Sequence, residues 1–423
     1  MMKQKSTKGS FFSRRYLLKL SAAALGGAFV RTAAEAQVST TPANSKANDP
    51  TRIPGRGSSK LGSRSPDEHL ERLVLRPSPS GESMTPIQNL SGIITPADLH
   101  FERHHGGIPS IDPESYELLI HGLIKTPKKF TLKDLKRFPQ HSRICFIECS
   151  GNGWSTYFKK DITEAVTPQR MDGLISTSEW TGVMLSTLFR EVGIKPGAKW
   201  FLAESSDAAV MTRSIPMEKG WEDAMIVYGQ NGEAIRPEQG YPARLLLPGY
   251  EGNTQVKWLR RIEVSDQPFM TREETSKYSD PLPDCTARLF SFVMDAKSLI
   301  TFPSYPYILP DKGWWEIQGY AWSGRGKIIR VEVSTDGGKH WFPAELQEPV
   351  LSKCQTRFRY LWNWKGGTAI LMSRAMDETG YQQPTLGQLE KVRGKGTFYH
   401  FNHIRAWKVE KDGSLKLGLN EMV

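Results

Sequence analysis

The rhythm of apolar and polar positions divides this chain into regions with different predicted structure. Residues 143–149 read Arg-Ile-Cys-Phe-Ile-Glu-Cys, mostly apolar β-formers, and Ser150, Gly151, Asn152 and Gly153 then break any regular element. The pattern predicts a buried strand that delivers Cys149 into a tight turn. Residues 116–120 and 199–204 read as further strands, residues 131–136 as a short capped helix, and residues 180–183 with 185–189 as a second helix. Beyond residue 290 the period shortens. Residues 315–323 and 328–334 alternate, and the second run closes on Asp336-Gly337-Gly338, as antiparallel strands with tight turns do. The expected fold is therefore α+β: a mixed domain over residues 93–288, then an immunoglobulin-like β-sandwich over residues 289–423.

The amino-terminal stretch follows neither rhythm. Residues 37–92 are rich in Ser, Pro, Thr, Arg and Gly, a composition that buries little apolar surface, so they predict a linker or an arm packed on a partner chain. Residues 1–36 hold Arg14-Arg15, an apolar run over residues 20–30 and Ala34-Glu35-Ala36, which together describe a twin-arginine export signal cleaved after Ala36. The run is too short and too rich in Gly and Ala for a membrane anchor, and the expected location is the periplasm. Cleavage would remove seven cations together with Glu35, lowering the formal net charge from +11 to +5. No basic stripe interleaved with aromatics is present, so nucleic acid is not an expected partner.

Candidate chemistry is concentrated at Cys149. Cys145 and Cys149 share one face of an extended strand, about 13 Å apart at about 3.3 Å per residue, too far for a disulfide. There is no Cys-x-x-Cys-His for a haem in this chain and no complement of further ligands for zinc. A lone cysteine at a strand end is most often a small buried hydrophobe. His104-His105 lack a third ligand at fitting spacing, and neither Gly-x-Gly-x-x-Gly nor a P-loop occurs.

Cys149-Ser150-Gly151-Asn152 resembles the Cys-Ala-Gly-Asn signature of the sulfite oxidase family, whose cysteine is the one protein ligand of molybdenum. A soft thiolate suits a metal already held by the dithiolene sulfurs of a pterin. Phe101-Glu102-Arg103-His104-His105 resembles the family's Phe-x-Arg-Asn-His segment. Residues 240–249, followed by Val256-Lys257-Trp258-Leu259, resemble Gly-Phe-Pro-x-Arg-x-x-x-Pro-Gly and Val-Lys-Trp-Leu, and Tyr278 falls where the family has its active-site tyrosine. The Trp-Ser-Gly and Ser-x-Asp-Gly-Gly runs of the carboxy-terminal part resemble the family's dimerisation domain, so the likeness covers roughly residues 95–420.

The resemblance implies a molybdenum–molybdopterin site in which Cys149 ligates the metal and Arg103, Lys257 and Tyr278 serve catalysis. Phe101, Arg103, His104, His105, Asp207, Gln239, Arg244, Gln255, Val256 and Lys257 would line the cofactor, with Arg244 on the pterin phosphate. An arginine fork suits an oxyanion because it bonds two oxygens at once. Gln239 stands where vertebrate members have His, so it can hydrogen-bond but not titrate. Gly153 and Trp154 stand where two arginines are frequent, which implies a wider, more apolar mouth suited to a sulfur atom presented on a protein arm.

Within the family the chain looks like the molybdenum subunits of sulfane dehydrogenases. The implied activity is oxidation of carrier-bound sulfane sulfur or of sulfite, with oxygen taken from water and electrons passed to a separate c-type cytochrome, expected to be dihaem. A sulfur-carrier protein and a homodimer through the carboxy-terminal domain are the other implied partners. The alternatives are a free-standing sulfite:cytochrome c dehydrogenase, a methionine-sulfoxide reductase, which usually lacks the β-sandwich, and a non-catalytic module that keeps the fold. Cys285 and Cys354 are candidates for pairing in an oxidising compartment.

Overall fold

The structure, a computed structural model, describes residues 54–77, 79–282 and 284–422, and the chain divides into two units, residues 1–65 and 66–423. The described part of the first unit holds no helix or strand. The export signal lies outside the described residues. Among the described residues no helix is long and apolar enough to cross a membrane.

In the second unit, one five-stranded sheet runs Glu233–Ala234, Met225–Gln230, Ile175–Met184, His141–Glu148, with Arg244–Leu246 also paired to Met225–Gln230. A second sheet runs Lys128–Thr131, Glu117–Gly122, Leu259–Ser265, Trp200–Ser205, Thr212–Pro216, and Glu117–Gly122 lies parallel to Leu259–Ser265. The helix Leu185–Val192 buries Leu185, Leu188, Phe189 and Val192 in a core shared with this second sheet. Such i, i+3, i+4 spacing puts the apolar residues on one helical stripe.

Further on, two antiparallel sheets form a sandwich. One is built from Lys297–Phe302, Gly313–Trp322, Thr356–Trp364 and Glu345–Gln347, the other from Phe342–Pro343, Ile328–Ser334, Ala369–Asp377, Ala406–Val409 and Leu415–Leu417. Their inner faces supply one core that includes Leu299, Ile317, Trp322, Val331, Phe358, Leu371 and Trp407. That core also takes in Phe146, Met171 and Ile175 from the preceding half, so its apolar packing runs across both halves.

The strand His141–Glu148 connects this architecture to the site. Successive strand residues face opposite ways. Cys145 and Ile147 pack with Met84, Phe101 and Leu246, with Cys149 continuing their face, while Phe146 joins the sandwich core and Glu148 follows it. The predicted strand and the turn after Cys149 are therefore present. The short helix Leu132–Leu135 is also present, with Thr131 and Asp134 exchanging the reciprocal bonds of a capping box.

Two expectations need correction, and the sequence leaves the pairing of Cys285 with Cys354 open. Trp180, Thr181, Gly182 and Val183 lie in the strand Ile175–Met184, and only Leu185 onward is helical. The β-branched and aromatic residues there pair with Met225–Gln230, and that pairing overrides the amphipathic reading. Among the described residues regular structure begins at Leu73, inside the stretch read as linker: Leu73–Arg76 and Glu82–Met84 form a three-stranded sheet with Glu102–Arg103. Met84 and Ile87 are buried there, and Thr85 bonds the Ser176 hydroxyl at 2.7 Å. Cys285 and Cys354 are both free, one exposed and the other buried.

Candidate active site

The turn after the cysteine strand is held by its own polar atoms. Asn152 donates to Glu148 Oε1 at 2.9 Å and to the Asp172 carbonyl at 3.0 Å, and its side-chain oxygen accepts from the Leu174 N–H at 3.0 Å. Gly153 has φ 92°, a conformation that favours glycine, and a Cβ there would lie 2.2 Å from Arg405 Nη2. The turn leaves Cys149 bordering a cavity of about 660 Å³.

All twelve residues named from the sequence line that one cavity: Phe101, Arg103, His104, His105, Cys149, Asp207, Gln239, Arg244, Gln255, Val256, Lys257 and Tyr278. Arg244 is 3% exposed and donates to the carbonyls of Gln239 and Gln255 at 2.9 and 3.0 Å, and its Nε has no partner. Among the described residues it pairs with no carboxylate, and burial lowers its guanidinium to about 9. Lys257 donates to the Glu238 carbonyl at 2.9 Å; burial, reinforced by Arg244, brings its ammonium down to about 7. Arg103 donates to the His104 carbonyl at 2.8 Å.

Burial pushes the Cys149 thiol up to about 11, against the pull of Arg103 and of a hydrogen bond from the Gly151 backbone. Burial likewise raises the Tyr278 phenol, which stays protonated and lies 3.2 Å from His105 Nε2. Arg213 sits over the Tyr278 ring at 4.8 Å and is itself ion-paired with Glu274 and Glu251. His104 and His105 are both lowered to about 4, chiefly by burial, so both are neutral near pH 7. Among the described residues no group of three or more His, Cys, Asp or Glu could by itself hold a metal ion, so a metal at Cys149 would need most of its ligands from another molecule.

An oxidoreductase molybdopterin-binding domain matches residues 105–273, and a molybdenum-cofactor oxidoreductase dimerisation domain matches residues 288–406. The crystal structure of the sulfane dehydrogenase SoxCD from Paracoccus pantotrophus superposes with a TM-score of 0.79 at 42% identity, covering 88% of this chain and 99% of that one. Mitochondrial sulfite oxidase of Drosophila melanogaster is 31% identical over 67% of this chain and 52% of its own length. An NADH nitrate reductase of Solanum lycopersicum is 31% identical over 64% of this chain and 33% of its own length. The chain thus spans about half of the sulfite oxidase and about a third of the nitrate reductase. It belongs to the sulfite oxidase family of molybdopterin enzymes.

The family's cofactor is molybdenum–molybdopterin, and the residues present fit it. A buried arginine with an unpartnered Nε faces a cavity whose wall carries a second cation, as a phosphate-bearing ligand requires. The lone thiol at the same cavity could supply a soft ligand.

Two further clefts meet the cofactor cavity at Arg103 and Cys149. One, about 1140 Å³, is walled by Trp154, Phe398 and Tyr399, with Arg76 and Arg170 also on its lining. The other, about 1190 Å³, carries Arg272, Lys277 and Tyr278. Sequence reasoning missed His100 and Asn253, which also border the cofactor cavity. His100 is buried with its Nε2 unpartnered, and burial lowers its imidazole to about 3. His100 stands one residue before the Phe101 motif, and only an unpaired polar atom in a folded cavity marks it out.

Proposed function

We propose that this chain is the molybdenum subunit of a periplasmic sulfur dehydrogenase that oxidises sulfane sulfur presented on a carrier protein and passes the electrons to a separate c-type cytochrome. The observation that carries the reading is the junction at Cys149, where an inner cationic cavity meets an aromatic-walled cleft. When bound, molybdenum–molybdopterin supplies the two-electron oxidation with oxygen taken from water.

The chain's own residues bind and orient. Arg244 anchors the pterin phosphate, deep enough that water does not compete for it. Cys149 is the metal's thiolate ligand, and Arg103, which borders all three spaces, steadies the oxyanion that forms as sulfur is oxidised. Tyr278 keeps its proton and donates a hydrogen bond toward the reacting sulfur, while His105, neutral, fixes the phenol. Lys257, poised near neutrality, takes or gives a proton at Nζ. Trp154 and Phe398 line the approach, where an apolar wall suits the arm of a carrier better than a small hydrated anion. Two such subunits associate through the sandwich domain, in keeping with the dimerisation domain that it matches.

The test is elemental analysis of the isolated protein together with turnover on sulfite, thiosulfate and a carrier-bound persulfide, with cytochrome c as acceptor. The proposal expects molybdenum and fast oxidation of the carrier-bound substrate. Fast oxidation of free sulfite without the carrier would favour a free-standing sulfite dehydrogenase.

A further inference from the structure

We propose that Lys297 of the β-sandwich domain is a positioning residue for Cys149, so that the domain expected to serve assembly also shapes the site. The inference rests on reading Cys149 as the metal's ligand. Lys297 opens the strand Lys297–Phe302 and is 2% exposed. Its Nζ lies 2.6 Å from Asp172 Oδ1 and 3.2 Å from Glu148 Oε1, and donates to the Asn152 carbonyl at 3.3 Å. Glu148 immediately precedes Cys149, Asn152 closes its turn, and the Asp172 carbonyl accepts from the Asn152 side-chain amide. One cation thus touches both ends of the turn and the segment behind it.

Two more residues of the carboxy-terminal half complete the clamp. Trp322 Nε1 donates to Glu148 Oε2 at 2.7 Å, and Arg405 grips Asp172 through Nε at 2.9 Å and Nη2 at 3.1 Å. Burial alone would raise the Asp172 carboxyl, but Arg405 and Lys297 together hold it below the usual carboxylate range. Two carboxylates therefore face two cations, and the cluster can be buried without net charge. Clusters of this kind seldom add stability over an apolar filling, and their best attested use is to select one geometry. The selected geometry is that of the turn carrying Cys149, because the bonded atoms lie at residues 148, 152 and 172.

The test compares full-length Lys297→Met, Trp322→Phe and Ser298→Ala proteins, each made with and without molybdate. Ser298 is the control: equally buried and next in the same strand, it bonds Ser373 and Gln383 rather than the turn. Two quantities are read: molybdenum bound per chain, and the iodoacetamide labelling rate of Cys149 in molybdenum-free protein, with exposed Cys285 as internal standard. Lys297→Met is expected to change both by about tenfold or more, the range typical of residues that orient a metal ligand. Trp322→Phe should move both the same way by less, and Ser298→Ala should move only the thermal midpoint.

A folded Lys297→Met protein with parental labelling and molybdenum would overturn the proposal, as would Ser298→Ala changing both equally. If Lys297→Met does not fold, Trp322→Phe decides, and no change there overturns it. The labelling arm reports on the turn without cofactor, so it separates failure of the clamp from failure of the oxidoreductase reading, which would appear as undiminished molybdenum in Cys149→Ser.

Discussion

The two sides of the turn that carries Cys149 bury cations in opposite ways. Toward the cavity, Arg244 has no carboxylate partner among the described residues, and burial lowers its guanidinium. Toward the sandwich, Lys297 and Arg405 are matched by Glu148 and Asp172 at 2.6 to 3.2 Å. Arg244 and Lys297 are 3% and 2% exposed, so unequal exposure does not account for the difference. A buried charge without a counterion is costly, and such a site persists where an anionic ligand completes it. A buried charge with its counterion is architecture. The contrast supports the proposal that the cavity binds the cofactor and the cluster sets the shape of the turn.

The comparison breaks first at the paired side. Asp172→Asn leaves Lys297 and Arg405 facing one carboxylate, and removing one partner of a buried ionic cluster costs about 3–5 kcal/mol. Chemical denaturation of the molybdenum-free protein should show that loss; a protein of parental stability would mean that the cluster is not ionic.

The unpaired side should respond with the opposite sign. Arg244→Met removes an uncompensated charge, and the Gln239 and Gln255 carbonyls it leaves border the cavity, where water can meet them. Molybdenum-free Arg244→Met is therefore expected to be more stable than the parent while retaining less molybdenum. Destabilisation of the cofactor-free variant would show that Arg244 serves the fold.

The smallest effect is in pH. Folded Lys257 titrates near 7, because burial and then Arg244 disfavour its charge, whereas an unfolded lysine titrates near about 10.4. Between those values the unfolded chain binds the extra proton, so its contribution raises stability as pH climbs from about 7 to about 10. Thermal midpoints of molybdenum-free protein at pH 7 and pH 9 should differ less in Lys257→Met than in the parent. Equal differences would place Lys257 outside the buried cationic group.

Local pattern explains what the sequence made legible. The run from Arg143 to Cys149 has apolar β-formers at both faces and a Gly-rich stop, and it folds as the strand His141–Glu148 and a turn. The predicted residues that line the cavity are drawn from six separate segments, and only the family resemblance joined them. The clamp left no such trace: Lys297 and Asp172 are far apart in sequence, and each alone reads as a solvated surface charge. The strands Leu73–Arg76 and Glu82–Met84 were hidden because the composition of a long polar stretch masked short β segments whose partner, Glu102–Arg103, lies farther along the chain. The reading of residues 180–183 as helix failed because cross-strand pairing decides that stretch.

The central claim is that one thiol anchors a molybdenum cofactor in the cationic cavity, and molybdenum per chain in Cys149→Ser, measured beside its turnover of carrier-bound persulfide, tests it most directly. The account predicts molybdenum reduced by about tenfold or more and turnover lost with it. Parental molybdenum with parental turnover would contradict it.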